Sequence, residues 1–188
     1  LPKSLAPRSR RALAALAVAF GAAACEDPFQ LQASNPNADA FHDITRTVYE
    51  FAYGIDTRDW ALYRSIFAPE VEFDYESYYG RPATRMTADE WIDAVTQLFM
   101  GLDATQHSMT NPLVDIEPDG VNARCRMYMQ AGHFLANDEG DAEFTIGGYY
   151  DDHLVFGDVD GIARWRIDSV KLTVWWRRGN ADIMRLAH

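Results

Sequence analysis

Three titratable side chains in this chain have the types and spacing for proton transfer. Asp56 follows Phe51 to Ile55 at the point where an apolar helical stripe runs out. His107 stands in the polar run Thr105-Gln106-His107-Ser108-Met109-Thr110-Asn111, and His133 lies within a long alternating segment. A carboxylate beside an imidazole fixes its tautomer and supports the imidazolium, so Asp56 with His107 would form a general base that needs no nucleophile. His133 taken alone could be a hydrogen-bonded core histidine. Taken alone, Asp56 could also be a turn residue of Asp56-Thr57-Arg58-Asp59 paired with Arg58.

The elements that must position these groups follow from periodicity. Phe41, Ile44, Val48, Phe51 and Ile55 recur at steps of three and four, which predicts a helix beginning near Phe41, its last turn weakened by Gly54. A short second helix from Trp60 to Phe67 is capped by Asp59 and closed by Pro69. Val71, Phe73 and Tyr75 alternate with acids, as in a half-buried strand, and the capping box Thr87-Ala88-Asp89-Glu90 opens a third helix carrying Trp91, Val95, Leu98 and Phe99. Between 105 and 176 the period is two, broken at turn sequences 117–120, 137–140 and 157–161. The odd positions Val121, Ala123, Cys125, Met127, Met129, Ala131, His133 and Leu135 share one face, which puts Met129 beside His133 on the ligand side. In the last strand Trp165 and Ile167 are out of phase with Val170, Leu172, Val174 and Trp176, so a bulge is expected near Asp168-Ser169. The expectation is one α+β, cone-shaped domain over 41–180, about three N-terminal helices packed on a strongly curved antiparallel sheet, with a tail over 181–188.

With these spacings, the segment FAYGIDTRDWALYRSIFAPEVEFDYESYY (51–79) and the later Thr105-Gln106-His107 resemble the SnoaL-like group of the nuclear-transport-factor-2-like superfamily, a group of dehydratases, a dehydrochlorinase and an isomerase. The resemblance spans about 41–178 and implies a pocket in the cone, with the helix-end acid Asp56 paired to His107, His133 as a second histidine that could deliver a proton to a leaving hydroxyl, and Tyr75 holding a substrate oxygen. Tyr53 is the other phenol expected at the cavity, and Asn111 either contacts a ligand or, beside Pro112, makes a turn. Ile146-Gly147-Gly148-Tyr149-Tyr150-Asp151-Asp152 is similar to a strand at the pocket mouth of the dehydrochlorinase, which implies ligand contacts from Tyr149 and Asp152. Packing is the expected role of Tyr78, Tyr79, Trp91 and Trp165. Two positions depart from the scytalone dehydratase pattern: Ile55 stands where a tyrosine precedes the acid, and Asp152 where an asparagine is found, which argues against scytalone itself as substrate.

Composition narrows the partners. A formal charge of −11 with no basic stripe excludes a phosphate-neutralising, nucleic-acid-binding face. There is no Gly-rich phosphate loop, no G-x-S-x-G elbow and no paired C-x-x-C, so neither a cofactor nor a metal is expected. Lys3, Arg8, Arg10 and Arg11 precede the apolar run Ala12 to Phe20 and then Gly21-Ala22-Ala23-Ala24-Cys25, the outline of an export signal over 1–24 followed by a linker over 25–40. Export to a bacterial periplasm is the expectation, with Cys25 a candidate for lipidation and a membrane tether; the alternative is an Ala-rich helix in a cytoplasmic protein. Outward-facing Tyr128 and Trp175 beside arginines point to a homo-oligomer, and the resemblance implies a trimer ahead of a dimer. The function implied is a cofactor-independent lyase or isomerase acting on an apolar small molecule. The rival is a non-catalytic binding or accessory domain on the same scaffold.

Overall fold

The structure, a computed structural model, describes residues 36–187. The expected export leader, Cys25 and most of the linker lie outside these residues.

Eleven elements follow in order: α1 (Pro36–Thr57), α2 (Trp60–Ser65), β1 (Phe67–Asp74), α3 (Glu76–Tyr79), β2 (Thr84–Thr87), α4 (Ala88–Met100), β3 (Ala104–Ile116), β4 (Asn122–Phe134), β5 (Glu143–Val159), β6 (Ile162–Gly179) and α5 (Ile183–Leu186). The strands form one curved, unclosed sheet in the order β2-β1-β6-β5-β4-β3. Helices and sheet enclose a core in which Ile44, Val48, Phe51 and Ile55 of α1 meet Tyr63, Phe67 and Val71.

Local chemistry sets the helix ends. Asp59 accepts from the Leu62 amide to cap α2, and Thr87 and Glu90 satisfy each other's backbone amides at the start of α4. Helix α1 starts at Pro36, earlier than the expected Phe41, because proline suits the first helical turn and Asp39 follows as a favourable first-turn acid. The end of the expected linker is therefore helix. Gly54 weakens no turn here; α1 runs on to Thr57, and a Cβ at Gly54 would stand 3.0 Å from Tyr63, so its absence lets α2 fold back onto α1.

The sheet departs from the expectation in three places. It is not wholly antiparallel: β1 runs parallel to β6, joined by pairs such as Phe73↔Val170, since the chain leaves α2 in the direction in which β6 later returns. The bulge at Asp168 is present, where His153 pairs with Ser169 and Leu154 with Ile167. A second bulge at Trp175, between the pairs Gly147↔Trp176 and Gly148↔Val174, turns Trp176 out of the inner register. At the β5–β6 hairpin only Asp160 and Gly161 form the turn, both at positive φ, as two-residue hairpins demand. The expected tail over 181–188 includes α5, whose Ile183 is fully buried and whose Met184 packs against the core.

Candidate active site

Helix α1 carries Asp56 beside the buried Ile55 and then stops. Arg58 adopts a left-handed conformation (φ 58°), and its guanidinium donates to the Leu102 and Asp103 carbonyls just ahead of β3. Arg58 is thus a fastener between the helix end and the strand that bears His107; it is not the partner of Asp56.

The Asp56 carboxylate gathers three donors. The His107 amide donates to Oδ2 at 2.6 Å, the Thr105 hydroxyl to Oδ1 at 2.9 Å, and His107 Nδ1 lies 2.7 Å from Oδ1. Partial burial works against the charge, but the hydrogen bonds from His107 and Thr105 outweigh it and hold the Asp56 carboxyl below its ordinary range. An ionised carboxylate on Nδ1 assigns the ring proton to that nitrogen and leaves Nε2 with a free lone pair. The His107 side chain is only 4% exposed and lies under the Phe99 ring, centroids 6.0 Å apart.

His133 meets His107 edge to face, centroids 5.9 Å apart. Its Nδ1 is 3.2 Å from the Phe144 carbonyl, which can only accept, so Nδ1 carries the proton and Nε2 is an acceptor. Burial and the nearby His107 push its pKa down to about 4, against the pull of that carbonyl, so the ring is neutral at ordinary pH.

Both imidazoles line a cavity of about 210 Å³ whose wall is largely aromatic and aliphatic, including Phe51, Ile55, Val95 and Leu98. Tyr75 and Tyr150 also line it. Their rings meet edge to face, centroids 6.5 Å apart, and burial, together with the neighbouring phenols, raises Tyr75 well above the ordinary phenol value. Tyr63, whose oxygen accepts from Trp91 Nε1 at 3.2 Å, stands beside them. Asp152, on the inner face of β5 with Tyr150, is buried behind this wall with Oδ1 unpartnered; burial, and secondarily Asp151, raises its pKa well above the ordinary value.

His107, His133 and Tyr75 line one cavity, and Asp56 stands behind His107 rather than on the wall. Met129 and Asp152 are buried in the core without lining it. Three expected ligand contacts lie elsewhere. Tyr53 is 64% exposed on the outward side of α1, because it stands two positions from each of the inward-facing Phe51 and Ile55, about 200° around the helix. Asn111 sits at positive φ in a bulge of β3, exposed, where the strand sheds an extra residue. Tyr149 packs on the outer face against Trp175, since it has the opposite parity to Tyr150. Tyr63, Tyr78, Tyr79, Trp91 and Tyr150 are cavity residues that the sequence reading missed or assigned to packing. For Tyr150 the signal was present: it shares phase with Asp152. Among the described residues no group of three His, Cys, Asp or Glu side chains is placed to hold a metal ion.

Residues 37–171 match the SnoaL-like domain family. The chain belongs to this family. A dehydratase of Pestalotiopsis microspora is 29% identical over 157 residues, covering 80% of this chain and 96% of its own. Scytalone dehydratase arp1 of Aspergillus fumigatus is 27% identical over 161 residues, covering 78% and 91%. Among solved structures, a protein of Kribbella flavida superposes with a TM-score of 0.72 at 24% identity, covering 79% of this SnoaL-like chain and 99% of its own, a likeness of fold. Relatives carrying dehydratase names mark the family as lyase-type at low identity.

Proposed function

We propose that this protein is a cofactor-independent lyase that removes a proton and a leaving group from an apolar, oxygen-bearing small molecule held in the cavity. The observation that carries the reading is the Asp56–His107 contact of 2.7 Å with His107 on the cavity wall. His107 Nε2 takes the proton, and the Asp56 carboxylate stabilises the imidazolium that results. In a dehydration the electron pair of the broken C–H bond becomes the new double bond, and the C–O bond breaks. The imidazolium then returns its proton to the departing hydroxyl, which leaves as water.

His133 serves this scheme as an acceptor. Its only ring proton is held by the Phe144 carbonyl, so Nε2 receives a hydrogen bond from the substrate hydroxyl and orients it rather than protonating it. Tyr75, on the cavity wall, donates to the substrate oxygen that gains negative charge as the proton departs. Dehydratase names among relatives of 27–29% identity support elimination over isomerisation, in which the same base would return the proton to carbon.

The test is a panel of β-hydroxy-carbonyl compounds on apolar ring systems, followed by the absorbance of the conjugated product. Turnover that falls in His107→Ala and Asp56→Asn while the thermal transition stays in place supports the proposal. Full activity in both variants, or tight binding of panel members without turnover, would replace it with the binding-domain reading.

A further inference from the structure

One row of the inner face of the sheet runs from the candidate base to a cation. His107 pairs with Ala131, Ala131 with Ile146, and Ile146 with Arg177, and residues directly opposite in a ladder point to the same side. His107, Ala131 and Ile146 all line the cavity, so Arg177 continues their row to its rim. The bulge at Trp175 puts it there. With Val174 opposite Gly148 and Trp176 opposite Gly147, the extra residue sends Trp176 outward and turns Arg177 inward, a re-aiming that bulges beside sites perform.

The guanidinium then reaches to α3 at the mouth of the cavity. Its Nη2 donates to the Tyr78 carbonyl at 2.8 Å and to the Ser77 carbonyl at 3.2 Å, and its Cζ stands 4.8 Å from the centre of the Tyr78 ring, part of the cavity wall. Among the described residues, Nε and Nη1 of Arg177 have no acceptor, and no carboxylate lies within ion-pair reach. Elsewhere this acidic chain neutralises its cations closely: Arg64, Arg126, Arg164, Lys171 and Arg185 each meet an acid at 2.9 Å or less. A second cation without an acid partner among the described residues, Arg81, follows the Gly80 turn that ends α3. Burial raises the phenol of Tyr79, another wall residue, and the charge of Arg81 pulls against it.

We propose that Arg177, with Arg81 beside it, anchors a carboxylate carried by the substrate, whose apolar body fills the cavity between this cation and His107. The anchor presupposes that the cavity is the substrate site proposed above. An unneutralised guanidinium at the mouth of a protein of net charge −11 concentrates anions locally, and its unused N–H groups remain for carboxylate oxygens. The ladder also limits the length of the ligand. Three interstrand steps of ~4.8 Å put the backbones of His107 and Arg177 roughly 14 Å apart, and both side chains turn into that span. A ring system with its acid on a short arm fits; a small hydroxy acid does not reach both ends.

Calorimetric titration of the full chain with naphthylacetate and, separately, with naphthylacetamide tests this without requiring turnover. The two probes share body and arm and differ in charge. The wild type should bind the acid about tenfold more tightly, the scale of a hydrogen bond to a charged group, and added salt should shrink the preference. Arg177→Gln should abolish the preference and leave the affinity for the amide unchanged. Because Arg177 also fastens α3, Arg81→Gln, which removes no hydrogen bond among the described residues, is the second variant and should narrow the preference with the thermal transition in place. His107→Ala should keep the preference, so a failure of the elimination chemistry and a failure of the anchor are read separately. A wild type that binds neither probe or both equally would overturn the proposal. So would equal loss of both probes in Arg177→Gln together with an undiminished preference in Arg81→Gln.

Discussion

Two histidines of this sheet make carboxylate contacts of nearly equal length: His107 with Asp56 of α1 at 2.7 Å and His153 with Asp168 at 2.6 Å. Their surroundings differ in every other respect. His107 is closed off from water, stacked under Phe99, and borders a cavity; its carboxylate also holds the Thr105 hydroxyl and the His107 amide. His153 and Asp168 are 27% and 29% exposed, on the outer face where a bulge happens to bring the acid forward, and among the described residues Asp168 accepts no second side-chain hydrogen bond. The pair itself is therefore not what makes a site. Exclusion of water, an orienting carboxylate with several donors and room for a substrate are what distinguish the inner pair.

The largest expected effect breaks the inner pair alone. With a turned-over substrate in hand, His107→Ala should lower kcat by about 10³-fold, and Asp56→Asn by ~10²-fold or more, the range for a lost general base or its orienter. Tyr75→Phe should cost roughly 10²-fold, as expected for one donor to a developing oxyanion, and mainly in kcat. Equal losses from Asp168→Asn would dissolve the distinction between the two pairs.

The inner face also predicts how stability responds to pH, through two buried groups with opposite signs. His133 has its pKa lowered to about 4, so between that value and the unfolded value of about 6.5 the unfolded chain binds more protons. Stability should be fully present above that window and fall on acidification through it, by a loss on the order of 3 kcal/mol. Asp56, held low, adds its own loss at still lower pH, as the medium passes below the ordinary carboxylate value. Asp152 acts the other way. Its raised pKa means that the native state keeps a proton the unfolded state has shed, so its burial costs more as pH climbs above about 4. Asp152→Asn should gain stability over the wild type as pH rises above the ordinary carboxylate value, and His133→Gln should flatten the acid slope. Chemical denaturation across these pH windows reads both, each variant against the wild type; identical slopes for His133→Gln and the wild type between pH 4 and 7 would contradict the burial of a neutral His133.

Much of this was legible where the governing physics is local. The stripe of α1, the capping box at Thr87, the Asp59 cap, the alternation of β4 and the bulge at Asp168 all follow from residues within a few positions of one another. Local too was the information that could have excluded Tyr53, two positions from the inward-facing Phe51, and preferred Tyr150 to Tyr149 by parity with Asp152. What could not be read was non-local: the parallel docking of β1 on β6, and the turn of Trp176 to the outer face by a bulge beside Gly147. Nor does any spacing reveal that Asp168 would meet His153, since that contact depends on the bulge placing an unpaired residue beside the neighbouring strand.

The smallest expected effect belongs to that outer pair, and it sharpens the comparison most. His153→Ala removes an imidazole whose partner remains partly hydrated, so the acid left behind can bind water in place of the lost hydrogen bond. A pair of this kind contributes about 0–1 kcal/mol, and the thermal transition should move by no more than a few degrees. Turnover should stay within about twofold of wild type, because the pair lies across the sheet from the cavity and away from the helix end that orients His107. Measured beside His107→Ala under the same conditions, this variant separates what an imidazole–carboxylate contact does from what a water-excluding pocket adds. If His153→Ala lost activity to the same extent as His107→Ala, the cavity could not be the origin of the difference, and the reactive centre would have to be sought on the outer face.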